Sequence, residues 1–342
     1  MAIRIGINGF GRIGRTVFRI VLEQHSDIEI VAINDIQNHE ALVHLLKYDS
    51  VMGPFKHDVI LKDNILKIGE HKIEMLSEKA LEQLPWKKLN VDFVIEATGV
   101  FRTREKLELH LKAGAPKVLL TVPAKDPIDA TIVLGVNDSE LKPTDKLISN
   151  ASCTTNCLAP MVKVLHDNFT IKSAMMTTVH AYTNDQKIVD APHKDFRRSR
   201  AAAANIIPTT TGAAIAVGKI LPELNGKIDG MAMRVPVVNG SVVDLVSVLD
   251  KEVTAKEIND MMKATANKNM KGILQYTEDP IVSSDIVGNF HSSIFDAKAT
   301  VVLGEKQNGK GNIVKTLSWY DNEYGYSSRV IDLIKLSYKI SQ

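Results

Sequence analysis

The stretch IRIGINGFGRIGRTVFRIVLE, residues 3–23, decides the first half of the fold. It opens with β-branched residues at Ile3–Ile7, which predict a short strand. Apolar residues then recur at helical spacing from Ile13 to Val21, which predicts a helix with one buried face. The segment GFGRIG, residues 9–14, separates the two. A strand, a glycine turn and a helix in this order are typical of the first unit of a parallel sheet that binds a dinucleotide.

The three glycines of this turn have separate roles in holding a diphosphate. Gly9 permits the tight turn, Gly11 lets the diphosphate approach the backbone, and Gly14 allows the helix to pack closely on the strand. The helix N-terminus favours the negative charge. Asp35, 21 residues beyond Gly14, stands at the end of a second predicted strand, Ile28–Ile33, where a carboxylate binds ribose hydroxyls. A carboxylate there repels a 2′-phosphate, so NAD is favoured over NADP; an ordinary turn with a surface aspartate is the competing interpretation.

Length and composition narrow the class of protein. A chain of 342 residues with 44% hydrophobic and 24% charged residues predicts two globular domains and excludes wholesale disorder. Its 42 basic and 40 acidic side chains leave a formal charge of +2, which disfavours electrostatic binding to nucleic acid. The N-terminus lacks signal-peptide features, and the longest charge-free stretch, residues 201–218, is interrupted by polar residues and proline. We therefore expect a soluble, cytoplasmic protein without a membrane span.

The first half of the chain alternates short β-branched runs with helical patterns, which predicts βαβ units around a parallel sheet. An antiparallel insert is expected over Gly53–Met75, where short strands surround charged turns. The remaining strands of this half are predicted at Asp92–Ile95, Lys117–Val122, Thr131–Val136 and Leu147–Ile148. The pattern changes near Asn150, where we place the domain boundary.

The second half has longer strands separated by turns, which predicts a mixed or antiparallel sheet. Its strands are predicted at Ile171–His180, Gly230–Pro236, Ser241–Leu249, Ala299–Leu303 and Ile313–Trp319. Helices are expected over Glu252–Thr265, opened by Thr254, and over the amphipathic segment Asn322–Ile340. The fold class is α/β: a Rossmann-type dinucleotide-binding domain over residues 1–152 and an α+β domain on a mixed or antiparallel sheet over 153–320. We expect the C-terminal helix, 321–342, to pack back on the first domain.

The segment SNASCTTNC, residues 149–157, looks like a strand running into a helix and carries both cysteines of the chain. Cys153 falls in the first helical turn, where the helix dipole favours thiolate over thiol. Cys157 follows one turn later on an apolar side and is interpreted as packing. A metal site would need further soft ligands, and an i,i+4 disulfide is disfavoured by geometry. A small buried hydrophobe is the competing interpretation of a cysteine, and the polar neighbours of Cys153 argue against it there.

Five segments along the chain carry a resemblance to a known family. They are INGFGRIGR (7–15), SNASCTTNCLAP (149–160), NIIPTTTGAA (205–214), MRVP (233–236) and WYDNE (319–323). Together, and in this order, they resemble the phosphorylating, NAD-dependent glyceraldehyde-3-phosphate dehydrogenases over essentially the whole chain. The resemblance implies a glycolytic oxidoreductase that converts D-glyceraldehyde 3-phosphate to 1,3-bisphosphoglycerate with NAD and inorganic phosphate, through a cysteine thiohemiacetal and a thioester.

The resemblance also implies roles for individual residues. Cys153 would attack the aldehyde, and His180 would be its base and ion-pair partner. The residues implied to hold phosphate are Thr183 and Arg234 for the substrate, Ser152, Thr154, Thr211 and Gly212 for the attacking phosphate, and Arg198 between the two. Hydroxyls, a glycine amide and guanidinium groups suit this task. A solvated basic face is the competing interpretation of Arg198, which lies in a basic cluster.

The implied cofactor residues follow from the same match. Besides the glycines of the turn they are Arg12 and Ile13 at the diphosphate, Asp35 at the ribose, Lys79, Thr121, and Asn322 at the nicotinamide carboxamide. Lys79 replaces an arginine that is usual in the family, and Thr121 replaces a frequent serine. Ala191-Pro192 is intermediate between the pairs usual in NAD-using and NADP-using members, so some use of NADP stays open. No metal is implied.

Two alternatives compete with this interpretation. Erythrose-4-phosphate dehydrogenase looks alike in the glycine turn and the cysteine segment, although its phosphate loop differs from NIIPTTTGAA. A binding protein that lost catalysis is disfavoured by the intact set of Cys153, His180, Arg198 and Arg234, and a second, non-catalytic role leaves no mark in the sequence. The resemblance implies a homotetramer, with the loop Tyr182–Arg200 packed across a subunit interface.

Overall fold

The computed structural model describes residues 2–342 and divides them into two compact units. The first unit comprises the residues up to Ile132 together with Ser139–Ser152 and Ser327–Gln342, and the second comprises Val133–Asp138 and Cys153–Tyr326. None of the helices formed by residues 2–342 combines the length and the apolar character that crossing a bilayer requires.

The first unit is built on a sheet of nine strands in the order β3-β4-β5-β2-β1-β6-β7-β9-β8. The strands are β1 (Ile3–Asn8), β2 (Ile28–Asn34), β3 (Ile60–Lys62), β4 (Ile65–Ile68), β5 (His71–Leu76), β6 (Phe93–Glu96), β7 (Lys117–Leu120), β8 (Ala130–Thr131) and β9 (Leu147–Ser149). Its helices are α1 (Arg12–Gln24), α2 (His39–Lys47) and α3 (Arg104–Lys112). The seven strands from β5 to β8 pair in parallel, which confirms the predicted parallel sheet.

The insert predicted over Gly53–Met75 forms the antiparallel strands β3, β4 and β5, and β5 also pairs in parallel with β2. The strand predicted over Thr131–Val136 is wrong beyond Thr131. There the chain turns, because the side chain of Asn137 accepts the N–H of Val133 at 2.9 Å and Gly135 adopts a φ of 80°. Local side-chain-to-backbone bonds of this kind compete with strand pairing.

The second unit contains a sheet of seven strands in the order β11-β12-β10-β13-β16-β15-β14. The strands are β10 (Ile171–Ala181), β11 (Ile207–Thr210), β12 (Ile228–Val235), β13 (Ser241–Val253), β14 (Leu274–Thr277), β15 (Ser293–Val302) and β16 (Gly311–Tyr320). The helices are α4 (Cys153–Phe169), α5 (Ala213–Ile220), α6 (Ala255–Asn267), α7 (Glu305–Asn308) and the start of α8 (Tyr324–Ile340). Two strand pairs are parallel and four are antiparallel, which confirms the predicted mixed sheet.

One face of this sheet is covered by helices, and the other is left uncovered by residues 2–342. Helices α4, α5 and α6 contact the sheet, and α4 is buried from Thr154 to Val162. The predicted helix opened by Thr254 is confirmed as α6, whose first turn is closed by a capping box between Thr254 and Glu257. On the opposite face Met175, Val246 and Val301 are exposed in one row across the strands.

The two units differ in two places from the division expected from the sequence. Val133–Asp138 lies with the second unit, where Gly135 is close to Met270 and Ile273. The returning C-terminal segment begins at Ser327 and not at residue 321. Asp321 explains this second difference, because its carboxylate accepts the N–H of Gly288 at 2.7 Å and so ties the start of the segment to the second unit.

Candidate active site

Cys153 is the first residue of α4, as the sequence predicts, and its environment differs from that of Cys157. Ala151, two residues earlier, adopts a left-handed φ of 53°, a strained conformation for a residue with a side chain. Cys153 is half-buried, whereas Cys157 is fully buried with its sulfur 3.5 Å from the Ser318 carbonyl oxygen. Burial raises the pKa of Cys157 to about 12. Cys157 is therefore an inert packing residue, and Cys153 is the accessible thiol.

His180 lies near the end of β10 with Nε2 3.5 Å from Sγ of Cys153. Arg234 is its neighbour in the parallel strand β12, in direct register. Nη1 of Arg234 lies 2.6 Å from Nδ1 of His180 and donates to the Ala181 carbonyl at 2.9 Å. The structure thus brings together three predicted site residues that are far apart in sequence.

Burial acts on both partners of the ion pair predicted from the sequence. Burial raises the pKa of the Cys153 thiol, although the charge of Arg234 opposes this. Burial and the charge of Arg234 lower the pKa of His180 to about 3. The helix dipole favours a thiolate, but it is outweighed by the cost of burying charge. Both shifts favour the neutral thiol and the neutral imidazole.

Tyr320 supports this cluster, although sequence analysis assigned it no role beyond its place in the WYDNE segment. Its hydroxyl bonds Thr154 at 2.9 Å and Thr178 at 2.8 Å, and its ring meets His180 edge-on at 5.8 Å. Burial raises the pKa of Tyr320, so the phenol stays protonated. The hydroxyl of buried Thr154 is therefore engaged with Tyr320.

Arg198 forms a second cluster at the end of β11. Its Nε donates to Thr209 Oγ1 at 2.7 Å, and its guanidinium pairs with Asp185 and, at 3.2 Å, with Asp195. It also donates to the Thr210 carbonyl at 3.3 Å, which places it beside the predicted residues Thr211 and Gly212. Arg198 is therefore held by side chains and is not a freely solvated residue.

The other predicted phosphate residues occupy different surroundings. Gly212 is the N-cap of α5, and a Cβ built on it would point into open space. Thr211 lies beside it, and its hydroxyl accepts the N–H of Ala213 at 3.2 Å. Thr183 is exposed and bonds Gln186 through its N–H at 2.9 Å, and Ser152 is half-buried in the first unit. An open helix N-terminus with a hydroxyl beside it suits an anion.

The glycine turn of the first unit has the geometry that its sequence predicts. Gly9 adopts a φ of 95°, and a Cβ there would lie 2.6 Å from the backbone N of Thr98. A Cβ on Gly14 would lie 2.2 Å from the carbonyl oxygen of Gly9, so only glycine permits this helix-to-turn contact. A Cβ on exposed Gly11 would point into open space. The space over Gly11, at the N-terminus of α1, fits a diphosphate.

Asp35 and Arg12 flank the turn. The carboxylate of Asp35 accepts the N–H of Phe10 at 2.7 Å and that of Gln37 at 3.0 Å, which fixes it at the carboxyl end of β2. Arg12 donates to Asp49 at 2.6 Å. Its side chain is thus directed to Asp49.

The remaining predicted cofactor residues are Thr121, Lys79 and Asn322. Thr121 follows β7, and its N–H and hydroxyl both donate to the Glu96 carbonyl at 3.1 Å. Lys79 is exposed. Asn322, in the second unit, is buried and accepts the hydroxyl of Ser241 on its Oδ1 at 2.7 Å. Ser241 was not predicted as a site residue. Its hydroxyl fixes the amide of Asn322, so that Nδ2 of Asn322 faces away from Ser241 as a donor.

A parallel sheet, a glycine turn at a helix N-terminus and an acid at the end of the second strand define a dinucleotide-binding protein of the Rossmann type. The family model described as glyceraldehyde 3-phosphate dehydrogenase, NAD binding domain, matches residues 3–104, and the one described as the C-terminal domain of the same enzyme matches residues 152–322. The chain belongs to the glyceraldehyde-3-phosphate dehydrogenase family, and NAD is its cofactor.

Similar proteins cover the chain almost from end to end. It is 54% identical to glyceraldehyde-3-phosphate dehydrogenase 2 of Streptomyces avermitilis over 97% of this chain and 98% of that protein. It is 55% identical to the glyceraldehyde-3-phosphate dehydrogenase of Geobacillus stearothermophilus, over 97% of each, and 56% identical to that of Thermotoga maritima, over 98% and 99%. These similarities confirm the resemblance on which the sequence predictions rest.

Proposed function

We propose that this chain catalyses the oxidative phosphorylation of D-glyceraldehyde 3-phosphate to 1,3-bisphosphoglycerate, the glycolytic reaction, with NAD and inorganic phosphate. One observation carries the proposal: a half-buried thiol, Cys153, stands 3.5 Å from a buried neutral imidazole, His180, beside the cation of Arg234. A nucleophile, a base and an anion-binding group are what addition to a phosphorylated aldehyde requires. The names of the similar proteins support the same substrate.

The first step is the attack of Sγ on the aldehyde carbon. A C–S bond forms, the carbonyl π bond opens, and Nε2 of His180 takes the thiol proton and returns it to the new alkoxide, which gives a thiohemiacetal. The imidazole suits both halves of this transfer. With Nδ1–H donating to the Ala181 carbonyl, Nε2 is an acceptor for the thiol; with Nδ1 accepting from Arg234, Nε2–H is a donor to a thiolate or alkoxide.

The second half of the reaction oxidises the adduct and releases it. NAD, when bound, supplies the two-electron oxidant. His180 takes the hydroxyl proton of the thiohemiacetal as the thioester forms. A phosphate oxygen then attacks the thioester carbon, the C–S bond breaks, and sulfur leaves as a thiolate that recovers its proton from His180. We assign Arg234 and Thr183 to the substrate phosphate, and Arg198, Thr211 and the N-terminus of α5 to the attacking phosphate.

This assignment is tested by measuring NADH with and without phosphate. With glyceraldehyde 3-phosphate and NAD but no phosphate, NADH formation should stop near one equivalent per Cys153, because the thioester accumulates. Adding phosphate should restore turnover. Sustained turnover without phosphate would contradict the release step. Erythrose 4-phosphate, the alternative substrate, should give a lower kcat/KM, and a preference for it would overturn the substrate assignment.

We also infer a homotetramer in the cytoplasm, with NAD bound by the first unit and catalysis in the second. The uncovered face of the seven-stranded sheet, with Met175 and Val246 exposed, is suited to contact another copy. The loop Tyr182–Arg200 exposes 89% of Ile188 and 86% of Phe196, which favours an interface there. Both cysteines are free, which fits a reducing compartment. Sedimentation as a stable monomer at working concentration would contradict the assembly.

A further inference from the structure

A buried carboxylate, Glu96, lies at the end of β6 beneath the glycine turn, and the proposed reaction does not use it. Its side chain is fully buried and surrounded by donors. Oε1 accepts the N–H of Thr98 at 2.9 Å and also the Thr98 hydroxyl. Oε2 accepts the amide of Asn8 at 2.6 Å and Nε2–H of His110 at 3.1 Å. Each oxygen therefore accepts two hydrogen bonds, as a carboxylate can.

One arm of this network leads into the core. The indole N–H of Trp86 lies 3.0 Å from Nδ1 of His110. Because an indole only donates, Nδ1 must be unprotonated, and Nε2–H must face Glu96. The Trp86 ring packs against Gly6, where a Cβ would come within 2.6 Å of it. This arm contributes to stability and stays away from the predicted cofactor residues.

The other arm passes through two amides toward the predicted cofactor residues. Because the carboxylate only accepts, Asn8 must present Nδ2 to Glu96 and Oδ1 to Asn34. Asn34 donates to that oxygen at 2.7 Å and to the carbonyl of Glu78 at 3.0 Å, while its Oδ1 accepts the N–H of Glu78 at 2.8 Å. One amide thus holds both backbone groups of Glu78, the residue next to Lys79.

We propose that Glu96 is a positioning residue for NAD. Through the relay Asn8–Asn34 it fixes the backbone at Glu78, and through Thr98 it fixes the backbone against which Gly9 turns. Reversing either amide would place two donors or two acceptors face to face, so the charge of Glu96 sets the orientation of the whole relay. The inference concerns cofactor affinity and holds whichever sugar phosphate the enzyme oxidises.

The test is the affinity for NAD, measured by calorimetry on the full chain without sugar phosphate. In Glu96→Gln the new NH₂ must face two donors whichever way the amide lies, so the relay or Thr98 must shift. We expect the Kd for NAD to rise on the order of tenfold or more, as loss of well-placed hydrogen bonds predicts. The matched control is Trp86→Phe, which breaks the core arm only. It should lower Tm and leave the Kd for NAD unchanged.

A reciprocal pair separates positioning from stability. In Asn8→Asp with Glu96→Gln, the glutamine amide donates to the new carboxylate, which still accepts from Asn34, whereas the bond from His110 is lost. NAD affinity should recover while Tm stays low. Should Glu96→Gln fail to fold, Asn34→Ser removes the end of the relay and should raise the Kd for NAD by a similar factor. A wild-type Kd in Glu96→Gln or Asn34→Ser, or an equal loss in Trp86→Phe, would overturn the proposal.

Discussion

The glycine turn of the first unit and the thiol cluster of the second unit are both suited to interact with charged groups, but they use different parts of the chain. The turn uses backbone groups within six consecutive residues, 9–14. The cluster uses the side chains of Cys153, His180 and Arg234, separated by 27 and 54 residues. A backbone site has no proton to gain or lose, whereas the protonation of a side-chain site depends on burial. The comparison shows that the turn can be predicted from the sequence, whereas the protonation state of the cluster depends on how the chain packs.

The strongest test of the thiol cluster is Cys153→Ser. A serine hydroxyl is a far weaker nucleophile than a thiol, so the rate of NADH formation should fall on the order of 10⁴-fold or more, with NAD affinity nearly unchanged. Cys157→Ser is the matched control, since it changes the same atom one helical turn away. It should keep most activity and lower Tm. Exchanged outcomes would reverse the roles of the two cysteines.

The next largest effect is expected for His180→Asn. Without the base that accepts the thiol proton, kcat should fall by about 10²–10⁴-fold. Alkylation of Cys153 by iodoacetamide should also slow at neutral pH, because burial already holds the thiol pKa high. The measurement is the alkylation rate from pH 5 to 9. An unchanged profile would show that the imidazole does not assist the thiol.

Acid stability should reveal the neutral imidazole directly. The pKa of His180 is lowered to about 3 in the folded chain, against about 6.5 when unfolded, so the unfolded chain binds the proton first. The free energy of unfolding should therefore fall as pH drops from 6.5 toward 3, by on the order of 4 kcal/mol from this group. Denaturant unfolding of wild type and His180→Asn at several pH values isolates the effect. A constant difference between the two would contradict it.

The glycine turn is tested by Gly14→Ala against Gly11→Ala. A Cβ at residue 14 would lie 2.2 Å from the Gly9 carbonyl oxygen, so the turn must open, at a cost of about 1–3 kcal/mol in stability. At residue 11 the same methyl group meets only open space. Gly11→Ala should therefore leave Tm unchanged and weaken the binding of NAD, because the methyl group occupies the expected place of the diphosphate. An equal loss of Tm in Gly14→Ala and Gly11→Ala would contradict the different roles of the two glycines.

The smallest effect concerns the choice of cofactor. Asp35 should repel the 2′-phosphate of NADP by about 1–3 kcal/mol. The small side chain of Ala191 leaves room for that phosphate, but this should offset less free energy than the repulsion costs. Wild type should thus prefer NAD by kcat/KM, Asp35→Gly should narrow the preference, and adding Pro192→Ser should narrow it further. Because the Asp35 carboxylate is fixed by the N–H of Phe10, it has little freedom to turn away. Equal use of both cofactors by wild type would contradict this.

The fold could be predicted from the sequence because its strands, turns and helices depend on local sequence patterns. The strand and turn around Gly9 and the capping box at Thr254 depend on residues within a few positions, and both are found in the structure. It failed at Thr131–Val136, where the apolar run looked like a strand. There the side chains of Asn137 and Asp138 accept backbone N–H groups and turn the chain, and a pattern of apolar residues does not reveal such competing bonds.

The sequence by itself determined the parallel sheet with its glycine turn, the placing of Cys153 at a helix start, and the family. These follow from spacing and residue type, which are properties of the chain. Only the tertiary structure decided that Arg234 lies against His180, that Tyr320 holds the hydroxyl of Thr154, and that burial shifts the pKa values of the thiol and the imidazole toward their neutral forms. Protonation depends on the local dielectric and on charges a few ångströms away, and these exist only once distant segments have packed together.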